Sequence, residues 1–259
     1  MKRTIIILIA SLFAFYDVSY AIRPVAAYKY TPNDLGVQFE EVRVNTKDGA
    51  TLNVWHLPGE ESDHPVIISG PDAGNMGDWL FLGYYLQYYG VDVWLYDYRG
   101  FGSSSTFEVQ QPYLFYTEFI TDLSAVVDYV QRVSDKSPIL FGISMGTIIV
   151  EEYLKRAETS VCATIYDGYV CDPFVWKDRL TALGKSIIIP DDFKSVTGNA
   201  RPIPRLYIVS NDDSLSRIED IPDRKHVRTA SFKCGHIEAF LKYPKQYSKR
   251  AYKFIMACR

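Results

Sequence analysis

The chain has 259 residues, of which 47% are hydrophobic and 15% aromatic, and this composition can build a large apolar core and excludes a disordered chain. The formal net charge is −3, with acidic and basic residues scattered along the sequence, so no basic stripe predicts nucleic-acid binding. This length indicates one domain with a modest insertion.

The N-terminus has the pattern of an export signal. Residues 1–3 form a short basic start, residues 5–15 are an apolar run, and Ser19-Tyr20-Ala21 places small residues around a cut after Ala21. A membrane-spanning helix needs about 20 apolar residues, and this run is shorter. We therefore predict a cleaved signal peptide over residues 1–21 and a secreted or periplasmic mature protein over residues 22–259. An uncleaved membrane anchor is the alternative.

From about residue 39 onward, strand patterns alternate with helix patterns. Residues 39–46 and 50–57 alternate apolar and polar positions around Lys47-Asp48-Gly49, which predicts a hairpin at a sheet edge. Further strands are predicted at residues 65–69, 91–96, 138–142, 161–166, 205–210 and 226–232. Helices are predicted at residues 79–89, 117–134 and 147–156, with a helical turn at 214–220 and a closing helix from residue 239. This alternation predicts an α/β fold with a mostly parallel central sheet flanked by helices.

The stretch from residue 168 to residue 204 interrupts the alternation. It contains four prolines and short apolar runs around Trp176 and residues 187–189. We predict that it is an insertion over the edge of the sheet where the strands end.

Four cysteines occur in the chain: Cys162, Cys171, Cys234 and Cys258. An even number can pair in an oxidising compartment, and four cysteines allow three connectivities. We predict disulfides between Cys162 and Cys171 and between Cys234 and Cys258, because each pair joins segments that are expected to be neighbours. Four buried thiols are the alternative, and none of the cysteines has metal-ligand spacing.

Residues 142–146, Gly-Ile-Ser-Met-Gly, match the G-x-S-x-G nucleophile elbow. This motif turns a strand sharply into a helix and exposes the serine hydroxyl, and side chains at the glycine positions would collide with neighbouring elements. Here it lies between a predicted strand and a predicted helix. Ser144 is therefore the predicted nucleophile, with an ordinary glycine-serine turn as the alternative.

A serine hydroxyl needs a base to take its proton. In this arrangement the chain order is serine, acid and histidine, which excludes His56 and His64. His226 lies at the start of the last strand, whereas His236 follows that strand and is the predicted base.

The third member of such a triad is a carboxylate that orients the histidine. Asp212 and Asp213 both follow the strand at residues 205–210, and we choose Asp213 because it opens the next turn. Asp212 remains open, and so does Asp167 at the end of the preceding strand. A helix cap is the alternative role for the adjacent pair.

Two backbone N–H groups are also needed to stabilise the oxyanion of a tetrahedral intermediate. Met145, which follows the nucleophile, is one predicted donor. The other should lie in residues 70–75, where Pro71 has no N–H, so we predict Asp72, with Ala73 as the alternative.

These stretches together resemble the α/β-hydrolase superfamily, especially its small-esterase, monoacylglycerol-lipase-like and serine-aminopeptidase-like branches. Residues 70–75 resemble its His-Gly-Asn-Ala-Gly-Asn oxyanion loop, although Gly-Pro replaces the usual His-Gly. Residues 96–103 resemble its Asp-x-Arg-Gly-x-Gly-x-Ser turn, in which Asp97 and Arg99 are carried over only as structural residues. Residues 141–146 resemble the elbow, and residues 235–236 the histidine loop.

The resemblance implies a hydrolase that needs no metal or organic cofactor and whose short cap insertion leaves room for a modest acyl or alcohol group. We expect it to cleave a small-molecule or lipid-like carboxylic ester through an acyl-enzyme. Thioester or peptide cleavage and acyl transfer would use the same residues. The rival hypothesis is a non-catalytic binding protein on the same scaffold, which the complete set of Ser144, Asp213 and His236 disfavours.

Overall fold

A computed structural model describes residues 21–156, 160–170, 172–193, 202–222 and 225–258 of the chain. All but the last residue of the predicted signal peptide therefore lies outside the described residues, as do Cys171 and part of the predicted insertion.

The described residues form ten strands and seven α-helices. The strands are β1 (Arg23–Pro24), β2 (Glu40–Asn45), β3 (Thr51–Leu57), β4 (Val66–Ser69), β5 (Ala73–Gly74), β6 (Val93–Tyr96), β7 (Ile139–Ile143), β8 (Ala163–Asp167), β9 (Arg205–Ser210) and β10 (Val227–Phe232). The helices are α1 (Pro32–Leu35), α2 (Leu80–Tyr88), α3 (Glu118–Ser134), α4 (Met145–Arg156), α5 (Pro173–Ala182), α6 (Ala239–Lys242) and α7 (Pro244–Ile255). Short 3₁₀ helices at Met76–Trp79 and Ile218–Asp220 complete the described elements.

Eight of the strands form one sheet in the order β10-β9-β8-β7-β4-β6-β3-β2. The strands from β10 to β6 are parallel to their neighbours, while β3 is antiparallel to both β6 and β2. The predicted hairpin at the sheet edge and the mostly parallel sheet are therefore confirmed. The central strands β4, β7 and β8 are buried along their whole length, as expected for strands covered on both faces.

Two apolar cores lie on opposite faces of this sheet. One contains the apolar faces of α3 and α4, and the other contains those of α2 and α7. Successive strand residues alternate between the cores: Ile67 and Leu140 belong to the first, and Ile68 and Phe141 to the second. The α3 helix forms because its apolar residues recur at helical spacing along one face.

Several elements were not predicted, including α1 and the 3₁₀ helix at Met76–Trp79. The β1 strand pairs in parallel with β5 and forms a separate two-stranded sheet. Within the insertion, α5 begins where the side chain of Asp172 accepts the backbone N–H of Phe174, with Pro173 in the first turn. The closing helix is two helices, α6 and α7, because Pro244 begins the second one.

The predicted disulfides are wrong for the described cysteines, since Cys162, Cys234 and Cys258 are all free thiols. Cys234 follows β10 at the carboxyl end of the sheet, where its thiol contacts the Ser210 hydroxyl at 3.3 Å. Cys258 follows α7, which returns the chain to the opposite end of the sheet, and there its thiol contacts that of Cys162. A six-residue strand spans about 20 Å, so the two ends cannot be bridged.

Among the residues that the structure describes, no helix is long and apolar enough to cross a membrane.

Candidate active site

Ser144 lies at a sharp turn between β7 and α4. Its φ is +50°, a left-handed conformation that is uncommon for a residue with a side chain. The turn is held where the Ser144 N–H donates to the carbonyl of Asp167 at the end of β8, at 2.8 Å. The flanking glycines are required, since a Cβ on Gly142 would lie 2.7 Å from the Gly146 carbonyl oxygen and one on Gly146 2.1 Å from that of Ser69.

His236 and Asp213 meet Ser144 at this edge of the sheet. The Nε2 atom of His236 lies 2.9 Å from the Ser144 Oγ, and its Nδ1 lies 2.7 Å from an Asp213 carboxylate oxygen. The three side chains come from turns after β7, β9 and β10, so the parallel sheet brings them together. This geometry assigns the Nδ1 proton to the bond with Asp213 and leaves Nε2 free to accept from the serine hydroxyl.

Asp213 is a buried carboxylate whose side chain is 2% exposed. It accepts the backbone N–H of Leu215 at 2.8 Å as well as the bond from His236. Burial acts to raise the pKa of Asp213, but these hydrogen bonds and the charge of His236 outweigh it and lower that pKa. The carboxylate therefore stays ionised beside the imidazole.

The two alternative acids lie elsewhere. Asp212 is exposed, and its backbone N–H donates to the carbonyl of Cys234. Asp167 is fully buried at the end of β8, where it accepts a hydrogen bond from the Tyr247 hydroxyl. Of the three candidates, Asp213 is the one that the structure places in hydrogen-bond contact with the imidazole.

The two predicted oxyanion donors are the backbone N–H groups of Met145 and Asp72. Met145 is the first residue of α4, so its N–H has no partner within the helix. The loop at residues 70–75 is held by β1, since the Arg23 N–H donates to the Asp72 carbonyl at 2.8 Å and the Val25 N–H to the Gly74 carbonyl at 3.0 Å. Sequence reasoning missed this support, because a two-residue strand has no periodicity.

The Asp72 side chain is an unusual neighbour for an oxyanion. Burial raises the pKa of Asp72, against lowering effects from its own backbone N–H, from Arg23 and from His236. Burial therefore favours the neutral form of this side chain.

Asp97 and Arg99, for which a structural role was predicted, shape the turn after β6. The Asp97 carboxylate accepts the backbone N–H of Met76 at 2.7 Å and also the hydroxyl of Tyr28. The Arg99 guanidinium bonds two carboxylates, Asp122 at 2.7 Å and Asp48 at 2.8 Å. These contacts fasten the turn to α3 and to the β2–β3 hairpin.

The α5 helix, which lies within the predicted insertion, contacts His236 directly. The Trp176 ring packs edge-on against His236, with the ring centroids 5.2 Å apart. Gly168 adopts a φ of +64°, and a Cβ there would lie 2.6 Å from the His236 ring. Sequence reasoning noted the apolar run around Trp176 but gave it no role, because its contact with the histidine joins distant segments.

Within the described ranges, no group of three or more histidine, cysteine, aspartate or glutamate side chains is arranged to hold a metal ion.

The chain is similar to several known proteins. Residues 73–231 match the family model described as serine aminopeptidase, S33. Over 76% of its length the chain is 24% identical to the YfhR protein of Escherichia coli, covering 77% of that protein. It is also 35% identical to a segment of the yeast membrane protein YNL320W, but the match spans 29% of this chain and only 26% of the yeast protein.

The esterase Pf2001 of Pyrococcus furiosus has a similar structure. It superposes with a TM-score of 0.73 at 17% sequence identity, over 93% of this chain and 99% of the esterase. At this identity the likeness shows the fold, and it confirms the predicted α/β-hydrolase fold.

Proposed function

Since the chain belongs to the serine aminopeptidase S33 family of hydrolases, we propose that it cleaves carboxylic esters through an acyl-enzyme intermediate. The observation that carries the proposal is the continuous hydrogen-bonded array from Ser144 through His236 to Asp213, with distances of 2.9 and 2.7 Å. This is the arrangement that activates a serine hydroxyl.

In the first half-reaction, the Ser144 Oγ attacks the ester carbonyl carbon while His236 Nε2 takes the hydroxyl proton. Asp213 stabilises the resulting imidazolium, and the backbone N–H groups of Met145 and Asp72 donate to the oxyanion. Collapse of the tetrahedral intermediate breaks the bond to the alcohol, which leaves with the proton from Nε2. The product of this step is an ester between Ser144 and the acyl group.

Water completes the cycle. His236 takes a proton from a water molecule, whose oxygen attacks the acyl carbon, and the second tetrahedral intermediate expels the Ser144 oxygen as it regains the proton. The products are a carboxylic acid and the free enzyme. Each step uses only the described side chains and backbone donors.

The test is turnover of a p-nitrophenyl acyl ester, together with labelling by a fluorophosphonate probe that reacts only with an activated serine. We expect Ser144→Ala to lower turnover by more than about 10³-fold and to abolish labelling. Ser160→Ala, at an exposed serine, is the matched control and should behave as wild type. A wild-type protein that neither turns over the ester nor takes the label would favour the rival hypothesis of a binding protein.

Substrate choice is tested with the same preparation. A series of p-nitrophenyl esters of increasing acyl length reports the size of the acyl pocket, and aminoacyl p-nitroanilides test the peptidase activity in the family's name. We expect higher kcat/KM on short acyl esters than on the anilides, because the ester carbonyl is more electrophilic and p-nitrophenolate is the better leaving group.

We also propose that the protein is exported. N-terminal sequencing of the protein recovered from outside the cytoplasm should begin at Ile22 if the signal is cut after Ala21. An unprocessed chain in the membrane fraction would instead support the anchor.

A further inference from the structure

Asp167 is a buried carboxyl group beside the site that the proposed reaction does not use. It is the last residue of β8, between the strands that lead to Ser144 and to Asp213, and its backbone pairs in register with Ile143 and Ile208. Its carbonyl accepts the Ser144 N–H. The side chain is fully buried.

Few groups around this carboxyl offset the free-energy cost of burying its charge. One oxygen accepts the Tyr247 hydroxyl at 2.8 Å, while the other has no hydrogen-bond partner among the described residues. Tyr247 is itself buried, with its ring against Phe141 and Phe232. Burial raises the pKa of Asp167 to about 6, and the charge of Asp213 adds to that effect, whereas the Tyr247 hydrogen bond, the charge of His236 and the backbone N–H of Gly168 act to lower it. A buried group with an unsatisfied oxygen calls for an explanation other than stability.

The charged and titratable groups that face Asp167 come from three elements. Asp213 follows β9, His236 and Cys234 follow β10, and Tyr247 belongs to α7. Of these groups, His236 is the one that can carry a positive charge, and its interaction with Asp167 favours the ionised carboxylate. Interaction free energies are mutual, so an ionised Asp167 favours the protonated imidazole by the same amount.

The imidazole also faces other groups. Asp213 holds its Nδ1, the Asp72 carboxylate interacts with it from the oxyanion loop, and the uncharged Trp176 ring packs against its side. Gly168, next to Asp167, lies so close that a Cβ there would meet the ring. The end of β8 is therefore a direct neighbour of the imidazole.

We propose that Asp167 is a second acidic residue for the reaction, a positioning residue whose carboxylate acts through His236 by stabilising the imidazolium that forms when Ser144 attacks. Asp213 orients the ring by hydrogen bonding, and Asp167 adds negative charge without a bond to the ring. This inference rests on the proposed function, since it concerns the proton that His236 takes up during acyl transfer.

Two substitutions separate this charge effect from a structural one. Asp167→Asn removes the charge but keeps an oxygen that can accept the Tyr247 hydroxyl. Tyr247→Phe keeps the charge but removes the hydrogen bond. If Asp167 acts through its charge, Asp167→Asn should lower activity more than Tyr247→Phe. If Asp167 only anchors α7, Tyr247→Phe should lower activity as much as Asp167→Asn.

The first readout does not depend on activity. NMR titration of the histidine Cε1 signals, with His236 assigned by a His236→Gln variant, gives the pH at which the imidazole gains its proton. In Asp167→Asn we expect this midpoint to fall by roughly half to one pH unit, or about three- to tenfold in acid dissociation constant. An unchanged midpoint in a folded Asp167→Asn protein overturns the inference, whether or not the protein is an esterase.

The second readout is the pH profile of ester turnover. At pH 8 we expect Asp167→Asn to lower kcat about three- to tenfold with KM unchanged, because the lost stabilisation concerns the charged intermediate. Tyr247→Phe should stay within about twofold of wild type at pH 8, where its Asp167 is still ionised, and lose activity only towards pH 6. Equal losses in both variants at pH 8 would mean a structural role.

If Asp167→Asn does not fold, the wild-type titration still tests the inference. Ionisation of Asp167 should appear as a second inflection in the His236 signal, and Tyr247→Phe should move that inflection to higher pH. A single inflection in both proteins overturns the inference. Absence of esterase activity with an intact two-step titration would overturn only the proposed function.

Discussion

Replacing Gly146 with alanine is expected to push the oxyanion loop away from the nucleophile. The new Cβ would lie 2.1 Å from the Ser69 carbonyl oxygen and 2.8 Å from that of Gly70, both of them backbone atoms. To restore an ordinary contact, the end of β4 and the elbow have to separate by about 1.3 Å. Residues 70–72 continue directly from that strand end, so the Asp72 N–H moves with it.

A displacement of about 1 Å in catalytic geometry costs on the order of 100-fold in rate, so kcat/KM for the p-nitrophenyl ester should fall by about that factor. Overpacking costs about 1–3 kcal/mol, and the thermal midpoint should drop by roughly 2–4 °C per kcal/mol. Gly70→Ala is the matched control, because its Cβ would meet only the Trp79 ring, at 3.8 Å.

The measurements are ester kinetics well below the melting temperature and thermal unfolding of both variants. The reasoning is refuted if folded Gly146→Ala keeps more than a third of the wild-type kcat/KM. It is equally refuted if Gly70→Ala loses as much activity as Gly146→Ala.

Three further predictions follow from the charges and thiols. Asp213→Asn should lower kcat by about 10³–10⁴-fold, because an amide favours the wrong imidazole tautomer, whereas Asp212→Asn, at an exposed site, should stay within about twofold in the same ester assay. Asp167 has a folded-state pKa of about 6, and about 3.9 is usual for an unfolded chain, so its ionisation weakens the folded state as pH rises from 4 to above 6. At pH 8, Asp167→Asn should therefore unfold at a higher urea concentration than wild type, with a free energy of unfolding larger by up to about 2–3 kcal/mol. At pH 4 the two proteins should unfold at the same urea concentration. Diamide oxidation followed by peptide mapping should recover a cross-link between Cys162 and Cys258, whose thiols are in contact, and any other pairing of Cys258 would contradict the structure.

Features set by local pattern could be predicted from the sequence. The buried strands are continuous apolar runs, and the Gly-Ile-Ser-Met-Gly elbow specifies its own turn through the contacts of Gly142 and Gly146. The position of His236 followed from chain order, because parallel strands end at one edge of the sheet. The structure brings that imidazole to the hydroxyl at 2.9 Å.

Features set by contacts between distant segments could not be predicted. The sequence favoured Asp213 over Asp212 only through the turn that it opens, and the contact that distinguishes the two in the structure joins Asp213 to His236, 23 residues further along the chain. The wrong disulfides arose because proximity was judged from the order of elements, without the direction in which α7 returns. The contact of Trp176 with the imidazole likewise depends on where an irregular insertion settles.

Three buried aspartates lie near the edge of the sheet where the parallel strands end, and they differ in which groups offset the free-energy cost of burying a charge. Asp97, Asp122 and Asp167 all have a pKa raised to about 6 by burial. Asp122 binds the guanidinium of Arg99, and Asp97 accepts a backbone N–H and a tyrosine hydroxyl, so each is satisfied by groups that also fix the fold. Asp167 accepts the Tyr247 hydroxyl and interacts with the Gly168 N–H, but its second oxygen has no hydrogen-bond partner and no permanent cation is among the groups that interact with it. Its charge is offset best when the neighbouring imidazole is protonated, which in the proposed reaction is the moment when Ser144 attacks.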